Sequence, residues 1–385
     1  MLALSQAFVM TIVSLMLSAS VLVSVGLSAA PGWATLPLAM QYLATMLALH
    51  PLARLMARWG RGPVFAGAAL VGAAGLALAA AGLAYGSFAV FVLSGLCVGV
   101  LGAAGQFYRF AAAEAVPVAA RGQAVALTLA GGVLAAFLGP FIASATRDFT
   151  AVPFQASFGV LAALALLAAG VACLLRLPAP PAAAAGPMKR PLRKIARRAD
   201  FRLALAGAVV GYAVMALLMT ATPLAMLCAG QPAGASIAVI QWHLLVMFAP
   251  SFVTGWLIAR LGLLAVKLLG GLLLLAGIGL ALAGDALAHF SAALVLVGVG
   301  WNFLYVGATA LLTQTCREVE KPAVQAFNDS VVFLSVTLAT LFAGRLVDSL
   351  GWEAVNRLAA VPVGVFVLVL LASLVRRRAG LARTA

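Results

Sequence analysis

The fold predicted from this sequence is an all-α membrane protein of twelve transmembrane helices arranged as two six-helix bundles, and three observations predict it. Hydrophobic residues make up 65% of the 385, about 250 apolar side chains where one bilayer-spanning helix takes roughly 20. Only 9% of the residues are charged and the mean hydropathy is +1.16, so the chain cannot cover a soluble surface with polar groups. The second half of the chain also repeats short motifs of the first at one constant spacing. Together these exclude a soluble enzyme, a nucleic-acid-binding domain and a secreted disulfide scaffold. Cys97, Cys173, Cys228 and Cys316 lie singly in apolar runs.

The spans follow from apolar windows bounded by charges, glycines and prolines. The first, Ala3 to Leu27, holds no charge and has no basic residue before it, so it reads as a retained helix rather than a signal peptide. The second, Trp33 to Met56, runs from Pro31-Gly32 to the Arg54 and Arg58 pair. The third, Pro63 to Ala84, and the fourth, Phe88 to Ala112, are separated by Tyr85-Gly86-Ser87. The fifth, Gln123 to Ala145, is closed by Arg147-Asp148, and the sixth, Phe154 to Leu175, by Arg176. After a break come Arg202 to Met226, Ala235 to Ile258, Leu264 to Ala283, His289 to Thr315, Ala323 to Val347 and Ala354 to Val375. The expected domains are a bundle over residues 1–177, a basic linker over 178–200, a second bundle over 201–376 and a tail over 377–385. The linker is Pro/Ala-rich at its start and basic afterwards, which predicts a tether leading into a short amphipathic interfacial helix.

Of the 24 lysines and arginines, only Arg147, Arg345 and Arg357 fall on the far side of these spans. That asymmetry predicts cytoplasmic termini and a cytoplasmic linker in an inner membrane. It also accounts for the net charge of +15 through topology and anionic lipid, without a nucleic-acid partner.

The internal repeat has an offset of 202 residues. Ala53 to Gly60 and Gly255 to Gly262 both read small-x-x-x-Ala-Arg-x-Gly, Gly105 pairs with Gly307, and Gln123-Ala124 pairs with Gln325-Ala326. Six plus six spans repeated without a change of topology make two bundles with a cavity between them. At these residues the chain resembles the major facilitator superfamily. The loop after span two is similar to its Gly-x-x-x-Asp-Arg-x-Gly-Arg-Arg signature at Arg58, Gly60 and Arg61, and departs from it at Ala53 and Ala57. Gly131-Gly132 and Gly139-Pro140 resemble part of a motif associated with antiporters, with Ala135 at a glycine position. Further strings resemble a bacterial subgroup that includes riboflavin transporters: Tyr108 to Ala112, Gln241-Trp242-His243, Met247 to Phe252 with Thr254-Gly255, Gly300 to Phe303, and Asn328-Asp329. The resemblance implies a secondary transporter working by alternating access, with two cargo readings open: uptake of a riboflavin-like aromatic metabolite, or proton-coupled efflux of hydrophobic drugs.

Candidate site residues are the polar groups at membrane depth, where an ionisable side chain is costly enough to suggest function. Asp329 lies roughly 9 Å into span eleven and is expected to take part in a gating ion pair with Arg54, Arg58 or Arg109. Proton coupling through that pair and a plain structural contact are both open. His243 reads either as a proton sensor or as an interface histidine, and Gln41 holds the equivalent place in span two. On span ten Asn302, Tyr305 and Thr309 share a face with Trp301 beside them, on span seven Tyr212, Met215 and Met219 form a line, and on span four Gln106 shares a face with Arg109. The superfamily resemblance implies that such faces line the cavity, and helix packing is the alternative. No GxxxxGK[ST] loop is present, so the energy source is a gradient or the solute itself. No cofactor and no metal are expected: His50, His243 and His289 fall on separate helices, with no HxxxH or CxxC spacing. The expected partners are a small-molecule solute, the bilayer and protons, and the expected state is a monomer.

Overall fold

The structure, a computed structural model, describes residues 1–27, 30–117, 121–175, 177, 192–317 and 320–382. The first half contains α1 (Leu2–Gly26), α2 (Leu36–Trp59), α3 (Arg61–Ala84), α4 (Phe88–Gly105), α5 (Tyr108–Glu114), α6 (Arg121–Thr146) and α7 (Gln155–Cys173). A short α8 (Leu192–Ala196) precedes the second half. That half holds α9 (Ala199–Cys228), α10 (Ala233–Phe248), α11 (Ser251–Leu261), α12 (Leu263–Leu282), α13 (Leu287–Gln314) and α14 (Lys321–Ala382). The expected interfacial helix of the linker corresponds to α8, while residues 178–191 lie outside the described residues.

More helices than spans are present because several spans are bent or continuous. Helices α4 and α5 together make one apolar stretch, Phe88–Glu114, and α10 and α11 meet at 45° as one broken span. The apolar part of α14, Ala323–Arg376, is 54 residues long. As one rod it would reach roughly 80 Å, far beyond a hydrocarbon core of about 30 Å. Gly351 breaks it at φ 79°, a left-handed conformation that glycine reaches without a Cβ clash, so α14 supplies two crossings. The shorter apolar stretch Ala130–Thr146 of α6 completes a set consistent with twelve.

Small residues set how closely these helices approach. A Cβ on Gly99 of α4 would stand 2.3 Å from the Gln41 carbonyl oxygen of α2, and one on Gly95 would stand 2.4 Å from the Pro37 carbonyl. Such contact between backbones supplies dispersion attraction where no hydrophobic effect acts between helices. The sequence repeat is also visible in the backbone. Gly60 and Gly262, 202 residues apart, turn α2 into α3 and α11 into α12 with φ of 83° and 84°.

The halves meet through α2 against α14, α6 against α10, and α1 against α9 and α10. At one end they are clasped. The Gly344 amide donates to Thr35 Oγ1 at 3.3 Å, and the Arg345 guanidinium lies 4.0 Å from the centre of the Trp33 ring. At the opposite end Arg61 pairs with Glu114 at 2.7 Å, and Arg198 donates to the Thr315 carbonyl at 2.7 Å. Both of these contacts stay within one half.

Lys267, which its charge puts with the lysines and arginines of the cytoplasmic side, is not a surface residue. It is fully buried in α12, donates to the Leu203 carbonyl at 2.9 Å and lies 5.4 Å from the centre of the Phe366 ring. Its stem explains one of the repeat glycines, since a Cβ on Gly307 would meet Lys267 Cγ at 2.6 Å.

Candidate functional site

Between the halves lies a cavity lined by residues of both, part of it open to solvent. The second half gives it an aromatic wall. Trp301 and Tyr305 sit one turn apart on α13, so their side chains fall on the same face. Their rings stack with centroids 5.2 Å apart and planes 9° from parallel. Tyr212 of α9 meets both edge-on, at 5.2 Å and 5.3 Å. Phe248, at the end of α10, stands edge-on to Trp301 at 6.4 Å, and Phe333 of α14 lies 6.2 Å from Tyr212. Met215 and Met219 extend the wall along α9, adding side chains that reshape easily around a ligand.

The first half faces this wall with polar groups: Gln6, Gln41, Gln106 and Arg109 all line the cavity. Five of the buried atoms without a hydrogen-bond partner belong to its lining, namely Gln6 Oε1, Ser14 Oγ, Gln41 Oε1, Arg109 Nε and Trp301 Nε1, and the others lie elsewhere among the described residues. A buried polar group left unpaired costs on the order of 1–3 kcal/mol, and a cavity that collects such groups is fitted to a polar occupant.

The predicted site residues divide by position. Tyr212, Met215, Met219, Trp301, Tyr305, Gln106, Gln41 and Arg109 come together on the cavity lining. Asn302, expected to face the solute, turns away from it. At 1% exposure its Nδ2 donates to the Met247 carbonyl at 2.7 Å and to Ser251 Oγ at 2.6 Å. Its Oδ1 accepts from Thr254 at 2.7 Å. These contacts lie on both sides of the α10–α11 break, where Pro250 has no amide to donate, and Asn302 therefore bolts the broken span to α13. Thr309 is exposed, its hydroxyl donating to the Tyr305 carbonyl at 2.9 Å. His243 is fully buried, with Nδ1 2.7 Å from the Leu294 carbonyl of α13, and it packs between helices outside the lining.

Of the three arginines considered for Asp329, Arg54 and Arg58 are exposed at the end of α2. Arg109 is the one whose charge reaches Asp329. The two do not close into a direct ion pair, and Asn328 Nδ2 donates to Asp329 Oδ1 at 3.1 Å. Arg109 lines the same cavity as Tyr212 and Tyr305, whereas Asp329 lies outside its lining. Gly139, from the antiporter-like element, packs α6 on α1, where an added Cβ would stand 2.7 Å from Ser14.

With this geometry in place, comparison with known proteins is decisive. The profile described as Major Facilitator Superfamily matches residues 1–287. The chain belongs to the major facilitator superfamily. Riboflavin transporter RfnT of Brucella anthropi is 39% identical over 353 residues, covering 90% of this chain and 88% of that protein. The uncharacterized MFS-type transporter YdeG of Bacillus subtilis is 29% identical over 342 residues, covering 84% of this chain and 79% of its own. The crystal structure of the nucleoside transporter NupG superposes with a TM-score of 0.72 over 97% of this chain and 99% of its own. At 13% identity that likeness speaks for the fold alone. The protein is thus a multi-pass membrane transporter of the major facilitator superfamily, a family of permeases and not of enzymes.

Several lining residues of this transporter escaped the sequence reading. Gln6 was legible in principle as a carboxamide in an otherwise apolar span. Phe248 and Phe333 carried no signal, because an aromatic in an apolar run reads the same whether it faces lipid, core or cavity.

Proposed function

We propose that this permease takes up a flat heteroaromatic solute of the riboflavin class across the inner membrane, with both termini in the cytoplasm. The observation that carries the reading is the wall of Trp301, Tyr305, Tyr212 and Phe248 facing polar groups across one cavity. A ring system laid on this wall gains aromatic contact, about 0.5–1.5 kcal/mol for each favourable ring pair beyond the buried area. The 39% identity to a riboflavin transporter supports the same class of cargo.

Transport proceeds by rocking of the half formed by residues 1–177 against the half formed by residues 201–376, as a monomer. The clasp of Thr35 and Trp33 with Gly344 and Arg345 lies at the periplasmic end in this topology, so the conformation faces the cytoplasm. Asp329 and Arg109 approach when the cytoplasmic end closes. Protonation of Asp329 releases that contact and couples the cycle to the proton gradient. Arg54 and Arg58 line the mouth of the same end.

The test is accumulation of labelled riboflavin in a riboflavin auxotroph lacking its own uptake system, with and without this protein, at two external pH values. Uptake above the control is expected. Absence of uptake with the protein present in the membrane overturns the cargo assignment, and lowered accumulation of hydrophobic drugs in the same cells would point to efflux.

A further inference from the structure

We infer that the Gln41 side chain is the group that reads the solute, by pairing its carboxamide with a lactam or imide edge, –C(=O)–NH–, on a planar heteroaromatic ring lying against Trp301. This rests on the reading that the cavity takes a flat heteroaromatic solute.

The carboxamide of Gln41 is 2% exposed and lines the cavity, yet neither of its polar atoms has a partner among the described residues. Its Oε1 is buried and unpaired. The Gln41 backbone carbonyl, in contrast, is well used: it receives the Thr45 hydroxyl at 2.9 Å and packs against Gly99. His243 stands 202 residues after Gln41, and there the polar group is taken up by its own half through the Leu294 carbonyl at 2.7 Å. The second half satisfies one ring nitrogen of its polar residue at this depth with protein, while His243 Nε2 is buried without a partner and lies outside the cavity lining. The first half leaves its counterpart facing the cavity.

Depth and chemistry then select the ligand. Gln41 packs beside Gly99, and the same offset places Trp301 at the depth of Gly99 in the equivalent helix. Gln41 and the stacked Trp301–Tyr305 pair, all on the lining, are therefore level across the cavity. A primary carboxamide offers one acceptor and one donor side by side. Its complement is a cyclic amide presenting N–H beside C=O, in the plane of a ring that stacks on an indole. A simple hydrocarbon would leave the whole amide unpaired, and a cationic amine, a donor only, would leave its N–H unpaired.

The test is a cycle of two proteins and two probes, read as Kd by fluorescence titration of purified protein. The proteins are wild type and Gln41→Leu, and the probes are riboflavin and 3-methylriboflavin, in which the imide N–H is replaced by N–CH3. Wild type is expected to bind the methylated probe at least about tenfold more weakly, because the buried acceptor is again left unpaired. Gln41→Leu is expected to lose affinity for riboflavin and to stop distinguishing the probes. Equal binding of both probes by wild type overturns the inference without any variant, and would mean that water alone satisfies the amide. Discrimination that persists in Gln41→Leu overturns it as well. If wild type binds neither flavin, the flavin assignment fails and the cycle is repeated with a pteridine-2,4-dione and its N3-methyl derivative. Discrimination lost in Gln41→Leu then upholds the lactam-reading role, and failure of this pair too overturns it.

Discussion

Replacing Asn302 by leucine separates a structural bolt from a solute ligand. The Asn302 carboxamide makes contacts of 2.7, 2.6 and 2.7 Å with the Met247 carbonyl, Ser251 Oγ and Thr254 Oγ1. Hydrogen bonds between membrane helices average about 0.6 kcal/mol, with a maximum near 1.7. Thr254 keeps a second acceptor in the Pro250 carbonyl at 2.8 Å, so its loss is at the low end. The Met247 carbonyl sits at a break where the helix supplies no amide donor, so its loss is at the high end. The sum is about 2 kcal/mol, or roughly thirtyfold in the ratio of folded to unfolded protein. Unfolding in mixed micelles with increasing SDS fraction reads this directly. Asn302→Leu is expected to shift the midpoint down by that amount, Thr254→Val by about a third of it, and the double variant by little more than Asn302→Leu alone. The paired readout is solute affinity: Thr254→Val is expected to leave it nearly unchanged, because neither Thr254 nor Asn302 lines the cavity. An Asn302→Leu protein that unfolds like wild type yet binds solute far more weakly would refute the bolt and return Asn302 to the solute.

Other outcomes follow from the same geometry. Gly99→Ala places a methyl 2.3 Å from the Gln41 carbonyl and should destabilise the protein by about 1–3 kcal/mol, whereas Gly279→Ala, with nothing within 4 Å, should be neutral or slightly stabilising in the same unfolding assay. Trp301→Leu removes one plate of the stacked pair at 5.2 Å and should weaken flavin binding by about tenfold, with retained uptake at low concentration counting against the aromatic wall as the docking surface. Asp329→Asn removes the charge that Arg109 feels; uptake should continue but lose its dependence on external pH, and an unaltered pH profile would end the proton-coupling proposal.

The legibility of this protein in its sequence was uneven, and the unevenness has a physical pattern. Helical spacing puts Tyr212, Met215 and Met219 on one face of α9, while on α13 the expected stripe runs through Asn302 and Tyr305 with Trp301 beside it, and the residues that line the cavity there are Trp301 and Tyr305. Asn302 shares that spacing but differs in partner, since a side chain at the edge of a stripe can turn either to the cavity or to the neighbouring helix. The break at Pro250 decides that choice by leaving the Met247 carbonyl to be satisfied. Charge alone puts Lys267 with the lysines and arginines of the cytoplasmic side, and nothing local reveals that Gly307 clears a slot for its stem.

What the sequence determined by itself is what a bilayer enforces locally: apolar windows of fixed length, charges at their ends, and a duplication at an offset of 202. Those constraints act on each segment separately, because every backbone polar group in lipid must be satisfied within its own helix. Tertiary structure alone decided which polar side chains were consumed by neighbours and which were left open. Gln41 and His243 are equivalent in sequence, and only the packing of α13 against α10 gives His243 a carbonyl while Gln41 faces the cavity unpaired.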